Sequence, residues 1–402
     1  MSVNSIDKFY QEIEEDSLKR KIPLVVQSGQ GAYLTIDGVE KLNFCSSHYL
    51  GLAVNPRLKK AAKDAVDKFG LGTGYRTLAG NHILHLELEE HLAKFKKAEA
   101  TIVFTGGYMA NCAAISTIIG KEDIVVSDEL NHASIIDAIR LSQVKNKFIY
   151  KHLDISDLES KIKEATKLSK TPKSDGSTPR ILIVTDGVFS MDGDLAPLPE
   201  IVWLAKEYGA LTMVDDAHGE GVLGEGGRGI VDHYGLHGHV DIEVGTLSKA
   251  FSVIGGFITG RKTLIDYYKK NARQYLFSNA LTIPDTAALD EAVKILEESD
   301  ELVKKLWENT NYIKDRFKNL GFNTGNSKTP ITPVMLGSED VARDFSTKLF
   351  ELNVFATPIV YPMVAKDAAR VRVIPSAAHS REDLNLGISA FEKIGKEMGI
   401  IK

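Results

Sequence analysis

The feature that most constrains this chain is a recurrence: a short β-branched run, then a stretch with the pattern of a helix. The runs fall at residues 101–104, 124–127, 147–150, 181–185, 211–214 and 242–245. Most are separated by enough chain for a crossover helix. Alternation of this kind specifies an α/β fold with a mainly parallel central sheet and helices on both faces. Such sheets place their ligand sites at the carboxyl ends of the strands. From about residue 284 the pattern changes. Residues 285–320 read as one long helical stretch, with Leu289, Ala292, Ile295 and Leu296 at helical spacing. Short strands at 331–336 and 371–374 follow, then a closing helix over 381–398 behind a cap at Ser380. The expected organisation is a large domain over 61–284 and a smaller α+β domain over 285–402, with residues 1–60 packing on the smaller one.

Composition narrows the function classes. The chain has 402 residues, 43% hydrophobic and 26% charged, enough to bury a large core. A net charge of −5 without a basic tract argues against nucleic acid as a partner. Two cysteines, Cys45 and Cys112, make neither a disulfide framework nor a four-cysteine metal site, and read as reduced packing residues. No apolar run approaches the roughly 18 residues of a membrane span. Residues 1–20 are polar and amphipathic, with Glu12, Glu14, Glu15 and Asp16, and lack the apolar stretch of a signal peptide. The expectation is a cytoplasmic protein that touches no membrane.

The chemistry concentrates at three consecutive strand ends. The run 181–185 leads into DGVFSMDG at 186–193, the run 211–214 ends in DDAH at 215–218, and the run 242–245 ends in TLSK at 246–249. A carboxylate, a histidine, a lysine and several hydroxyls are thus expected to converge on one crevice. Pyridoxal phosphate needs such a set. A lysine amine bonds its aldehyde, an aspartate keeps its pyridine nitrogen protonated, and a helix start with hydroxyls receives its phosphate. TGGYMAN at 105–111 supplies that start directly after a strand, and Thr246 offers a hydroxyl three residues before Lys249. A metal hydrolase built on Asp215, Asp216 and His218 is a competing reading, but it leaves Lys249 and the glycine-led helix start unused. The glycine-rich stretch 219–229 (GEGVLGEGGRG) reads as a wall of the same site.

Together DGVFSMDG, DDAH, TLSK and NHASIID at 131–137 resemble the α-oxoamine synthases, pyridoxal-phosphate enzymes of fold type I. The likeness runs from NFCSSHYLGL at 43–52 to RVRVIPSAAH at 370–379. The resemblance implies Lys249 as the Schiff-base lysine and proton-transfer base, Asp215 as partner of the pyridine nitrogen, and His218 on the phenolic oxygen. It implies His132 stacked on the ring and Ser190 near the cofactor. Gly107, Tyr108 and Thr246 match the phosphate site, and Ser278 and Asn279 a segment reaching the other subunit's phosphate, hence a homodimer with shared active sites. Arg372 matches the guanidinium that grips the amino-acid carboxylate. No metal is implied.

The activity implied is condensation of an amino acid with an acyl-CoA and release of CoA. Arg76, in GTGYRTLAG at 72–80, and TPVMLG at 332–337 resemble the glycine-using members, so glycine C-acetyltransferase activity is the first expectation. Ser47 and His48 replace asparagines near the substrate, and IVYPMVAK at 359–366 also departs from that pattern. The alternatives are 8-amino-7-oxononanoate synthase (alanine with pimeloyl-CoA) or a promiscuous synthase, then a serine palmitoyltransferase-like enzyme, then an aminotransferase.

Overall fold

The computed structural model describes residues 5–18 and 23–402. Of the expected N-terminal segment, residues 1–4 and 19–22 and the side chains of 15–18 lie outside the described residues. After a helix at Ser5–Leu18, strands β1 (Tyr33–Ile36) and β2 (Val39–Asn43) form a hairpin. Seven strands then build the main sheet: β3 (Ala100–Phe104), β4 (Ile124–Asp128), β5 (Asn146–Tyr150), β6 (Ile181–Asp186), β7 (Leu211–Asp215), β8 (Ile242–Thr246) and β9 (Gly256–Gly260). Their order is β3-β9-β8-β7-β6-β4-β5. The contacts among β8, β7, β6, β4 and β5 are parallel. Strand β9 is antiparallel to both neighbours, so β3 runs with the parallel set. Six strands therefore carry their carboxyl ends to one edge.

The near-continuous apolar runs follow from burial on both faces. All of β4, β6 and β8 is buried. Side chains alternate between two cores: Ile124, Val126, Ile183 and Val214 face one, Val125, Leu182, Val184 and Met213 the other. Strand β9 escapes the sequence reading because GFITG is short and begins and ends in glycine. It makes the β8–β9 connection a hairpin with a nine-residue loop, 247–255, rather than a crossover.

The expected helix over 285–320 is two helices, Ile283–Glu298 and Glu301–Leu320, broken where Ser299 is extended. The first packs Leu289, Ala292 and Leu296 into a core of the main sheet. The second carries Ile313 and Phe317 into a third core, shared with Leu42 and Phe44 from the N-terminal region and with Phe345, Val371 and Phe391. Strands β10 (Thr332–Gly337), β11 (Val354–Phe355), β12 (Thr357–Ile359) and β13 (Ala369–Val373) complete this part. β11 pairs with β2, and β10, β13 and β12 form a small antiparallel sheet. The closing helix, Arg381–Glu397, starts at Ser380 with a capping box: Asp383 N–H donates to Ser380 Oγ (3.1 Å) and Ser380 N–H to Asp383 Oδ2 (2.8 Å).

Candidate active site

The carboxyl edge of the main sheet holds a cavity of about 200 Å³. Eight of the expected residues line it: Gly107, Tyr108, His132, Ser190, Asp215, His218, Thr246 and Lys249. Each arrives from a strand end or the turn after it. Asp215 ends β7, where Asn111 Nδ2 (2.6 Å) and the Ala217 N–H (3.0 Å) donate to its two oxygens. Lys249 sits in the hairpin after β8, closed by Leu247 N–H to Gly255 O (2.9 Å) and Ser252 N–H to Lys249 O (3.0 Å). Burial pushes the Lys249 amine below the usual lysine range, against the pull of Asp215 and Asp186.

Asn111 ties the floor of the cavity to its roof. Its Nδ2 also donates to Ser134 Oγ (2.8 Å), and Ser134 Oγ lies 2.7 Å from His132 Nδ1. The Ser134 N–H donates to the same Nδ1 (3.2 Å), so that nitrogen is an acceptor and the ring proton sits on Nε2. Burial pushes the His132 pKa down, which keeps the imidazole neutral. His218 Nδ1 lies 2.7 Å from Tyr49 Oη, and its pKa is driven well below the usual histidine range, first by burial, then by the charges of Lys249 and Arg372. Burial, with the Asp215 charge beside it, pushes the Asp186 carboxyl well above the usual range. Sequence reasoning passed over Asn111, Ser134, Asp186 and Tyr49 as site residues. The one available signal was position: Asn111 lies one helical turn beyond Gly107.

The phosphate end of pyridoxal phosphate has a fitting receptor. The helix Gly107–Ser116 begins at Gly106 without a side-chain cap, which leaves its first N–H groups for an anion. A Cβ on Gly107 would lie 2.9 Å from Thr246 Oγ1, so glycine lets this helix start approach the end of β8. Thr246 Oγ1 and Ser248 Oγ are 2.8 Å apart beside it. Asn111 Oδ1 is buried without a partner among the described residues.

Other expected residues lie outside this cavity. Arg372 Nη1 donates to Ser190 O (2.9 Å), and its charge is felt by Lys249 and His218. Ser278 and Asn279 line a separate, very small pocket together with Arg76. Arg76 is buried, donating to Glu89 (2.8 Å) and Asn81 (2.6 Å) and stacking 4.7 Å from the Tyr275 ring centroid. Ser47 is half-buried in the segment before Tyr49. Asp216 turns away from Asp215. It joins Glu220 and Glu243 around the buried Lys96 Nζ at 3.3, 3.4 and 2.5 Å. The glycine-rich loop wraps Asp216: a Cβ on Gly219 would fall 1.9 Å from Asp216 Oδ1 and one on Gly229 1.7 Å from Oδ2. The three residues of the hydrolase reading therefore do not converge, and residues 219–229 enclose an ion cluster rather than wall the cavity.

A mainly parallel sheet with a lysine, an aspartate and an uncapped helix start at one edge defines a pyridoxal-phosphate enzyme of fold type I. Residues 39–391 match the family described as aminotransferase class I and II. The chain is 59% identical over 377 residues to an 8-amino-7-oxononanoate synthase of Thermosipho melanesiensis, covering 94% of each chain. It is 54% identical over 400 residues to one of Petrotoga mobilis, covering 98% of this chain and 100% of the other. Among solved structures, a serine palmitoyltransferase of Sphingomonas wittichii matches with a TM-score of 0.91 at 29% identity, covering 100% of both chains. An 8-amino-7-oxononanoate synthase from Francisella tularensis matches with a TM-score of 0.74 at 27% identity, over 89% of this chain and 99% of the other. The chain belongs to the aminotransferase class I and II family and, within it, to the α-oxoamine synthases. It is a pyridoxal-phosphate-dependent transferase of the acyltransferase type.

These relatives do not support the glycine C-acetyltransferase expectation. They bear the name held as its alternative. The physical reason is visible at Arg76, which lies outside the cofactor cavity and pairs with Glu89 in a buried ion pair. Its presence reports packing, and it gave no information on the amino acid used. No helix among the described residues is long and apolar enough to cross a membrane.

Proposed function

We propose that this enzyme is an 8-amino-7-oxononanoate synthase, joining alanine to the pimeloyl group of pimeloyl-CoA. The observation that carries this reading is the 59% identity to a synthase of that name over 94% of both chains. In the reaction the alanine Cα bonds to the acyl carbon, the thioester C–S bond breaks, and CoA and carbon dioxide leave. Bound pyridoxal phosphate supplies an aldehyde that takes the amino group and a ring that draws electron density from Cα.

The chain's residues supply the rest. Asp215, held by Asn111 and the Ala217 N–H, would pair with the pyridine nitrogen and keep it protonated. The helix start at Gly107, with Thr246 and Ser248, receives the phosphate. The Lys249 amine, its proton loosened by burial, accepts the Cα proton. The neutral imidazole of His132, held by Ser134 at Nδ1, would pack against the cofactor ring. Arg372 makes one bond to Ser190 O, and its other N–H groups have no hydrogen-bond partner among the described residues, which leaves a fork for the alanine carboxylate. Fixing that carboxylate sets which Cα bond lies perpendicular to the ring.

The reading includes a homodimer. Ser278 and Asn279 do not line their own chain's cofactor cavity, as a segment serving the other subunit would not. Leu71, Leu78 and Phe277 stand 66%, 78% and 73% exposed in this part of the chain, more apolar surface than isolated residues leave bare.

The test is CoA thiol release by the cofactor-loaded enzyme, crossing alanine, glycine and serine with acetyl-, pimeloyl- and palmitoyl-CoA. Alanine with pimeloyl-CoA leads if the reading holds. Release led by glycine and acetyl-CoA overturns it.

A further inference from the structure

A second cavity, of about 310 Å³, adjoins the cofactor cavity, and Ser190 lines both. We propose that it holds the chain of the acyl group and that it reads chain length but not the charge at the chain's far end. This rests on the acyl-transfer reading above and names the part of the site that would select the acyl substrate.

Two placements tie this cavity to the reacting centre. Leu130, on one lip, lies two residues before His132 in the turn after β4. Strand β13 carries Arg372 and Arg370 two residues apart, hence on the same face. Arg372 Nη1 reaches Ser190 O, and Arg370 Nη1 reaches Met191 O (3.1 Å) one residue further on. A chain whose carbonyl carbon meets Cα beside Arg372 is therefore directed along Ser190 and Met191 into the second cavity.

Seven of the twelve lining residues are apolar, among them Leu130, Phe189, Met191 and Met363; the polar ones are Ser190, Asp192, Asp194, His152 and Arg370. Leu130 and Met363, both lining the cavity, stand 51% and 52% exposed. The volume lies at the lower end of the roughly 300–1,000 Å³ of small-molecule sites. Methylenes, rather than the large polar CoA moiety, suit such walls.

The cations at this cavity are already neutralised. Arg370 donates from Nε (3.0 Å) and Nη2 (2.9 Å) to Ala368 O, and from Nη1 to Met191 O and the Asp192 carboxylate. His152 sits with Nδ1 3.0 Å from Asp128 and Nε2 2.9 Å from Asp194. Both groups have spent their donors inside the protein. No cation that lines the cavity is left free for a terminal carboxylate, which stays hydrated at the mouth, beside the exposed Met363 and Ala365.

The experiment measures CoA release with alanine and saturated acyl-CoAs of two to eight carbons, alongside pimeloyl-CoA. It is run on the wild type, Leu130→Trp and Met363→Trp. Both side chains are half-exposed and come from different segments, so the two substitutions test one cavity without disturbing one shared core. In the wild type, kcat/KM rises with length by about fourfold per methylene, the value of burying one. Octanoyl-CoA stays within about tenfold of pimeloyl-CoA. Each tryptophan fills the cavity and lowers the ratio of long-chain to acetyl kcat/KM at least tenfold. A preference for pimeloyl- over octanoyl-CoA of more than a hundredfold, or an unchanged ratio in both variants, overturns the inference. If the wild type instead favours acetyl-CoA, the proposed function fails and the cavity is judged separately, by octanoyl-CoA inhibition. An octanoyl-CoA Ki weakened at least tenfold in both variants keeps the chain-binding cavity, and an unchanged Ki removes it.

Discussion

Replacing Lys96 by methionine should be the most damaging single change outside the active site. Lys96 Nζ lies 3.3 Å from Asp216, 3.4 Å from Glu220 and 2.5 Å from Glu243, and donates to Arg228 O at 2.5 Å, all away from bulk water. At an effective dielectric near 20, one contact of about 3.3 Å is worth about 5 kcal/mol. Desolvation cancels most of that sum, and breaking a buried pair costs about 3–5 kcal/mol net. One lysine cannot balance three carboxylates, so protons must do the rest. Burial pushes Asp216 up to about 8, with Lys96 opposing and Glu243 adding, and burial drives Glu220 well above its usual range. Each folded-state value lies above the unfolded one. The stability these protons contribute is present at low pH and lost as pH rises towards about 8. Without Lys96 the carboxyls need still more protons, so the loss in Lys96→Met is larger at pH 9 than at pH 6. Urea unfolding at both pH values measures it, and Lys96→Met/Glu220→Gln should recover part of the loss at pH 9. A loss under about 1 kcal/mol, equal at both pH values, would refute the charge accounting.

Three further outcomes are expected. Borohydride reduction of the cofactor-loaded wild type should fix the cofactor to the peptide holding Lys249, and Lys249→Ala should retain none; label on that variant would move the bonding lysine elsewhere. Arg372→Ala should raise the alanine KM by roughly 10- to 100-fold, since hydrogen bonds to a charged group are worth about 1.5–3 kcal/mol; an unchanged KM would mean another group holds the carboxylate. In His152→Gln the loss of stability, about 2 kcal/mol near neutrality, should fade as pH rises through about 10. Burial disfavours the His152 charge, but Asp128 and Asp194 outweigh it and push the pKa up to about 10, so the cation's contribution is full below about 6.5 and gone above 10. A loss independent of pH would show that the contribution is packing, not charge.

The main sheet was legible because its strands are buried on both faces. Burial on both faces demands uninterrupted apolar runs, which single-sequence reading detects, and β6 and β8 fall within a residue of their expected bounds. Strand β9 was not legible, since two apolar residues and a threonine between glycines carry no period. The break at Ser299 was missed because both helices share one apolar spacing and no proline or glycine marks the boundary. Asp215 and Lys249 were legible because one ends a strand and the other lies three residues past a strand end, at the edge where chemistry gathers. Asn111 and Ser134 were not, since they act by bonding other side chains, across a helix and a turn whose mutual placement only the fold supplies.

The failure over the substrate pair has the same root. The cofactor end of the site needs one particular side chain at each point: an amine, a carboxylate, an imidazole, a glycine where a helix must approach a strand. Such demands leave a mark in sequence. The proposed acyl cavity asks mainly for volume beside apolar walls, and Leu130, Met191 and Met363 would meet that demand as many other residues could. Arg76 looked diagnostic because it is charged, yet its charge is consumed by Glu89. A charged residue informs about a substrate only when its donors are left free at the site, as they are at Arg372 and are not at Arg370 or His152, while Arg76 lies outside the cofactor cavity altogether. That criterion is geometric, and no reading of residue types along the chain can apply it.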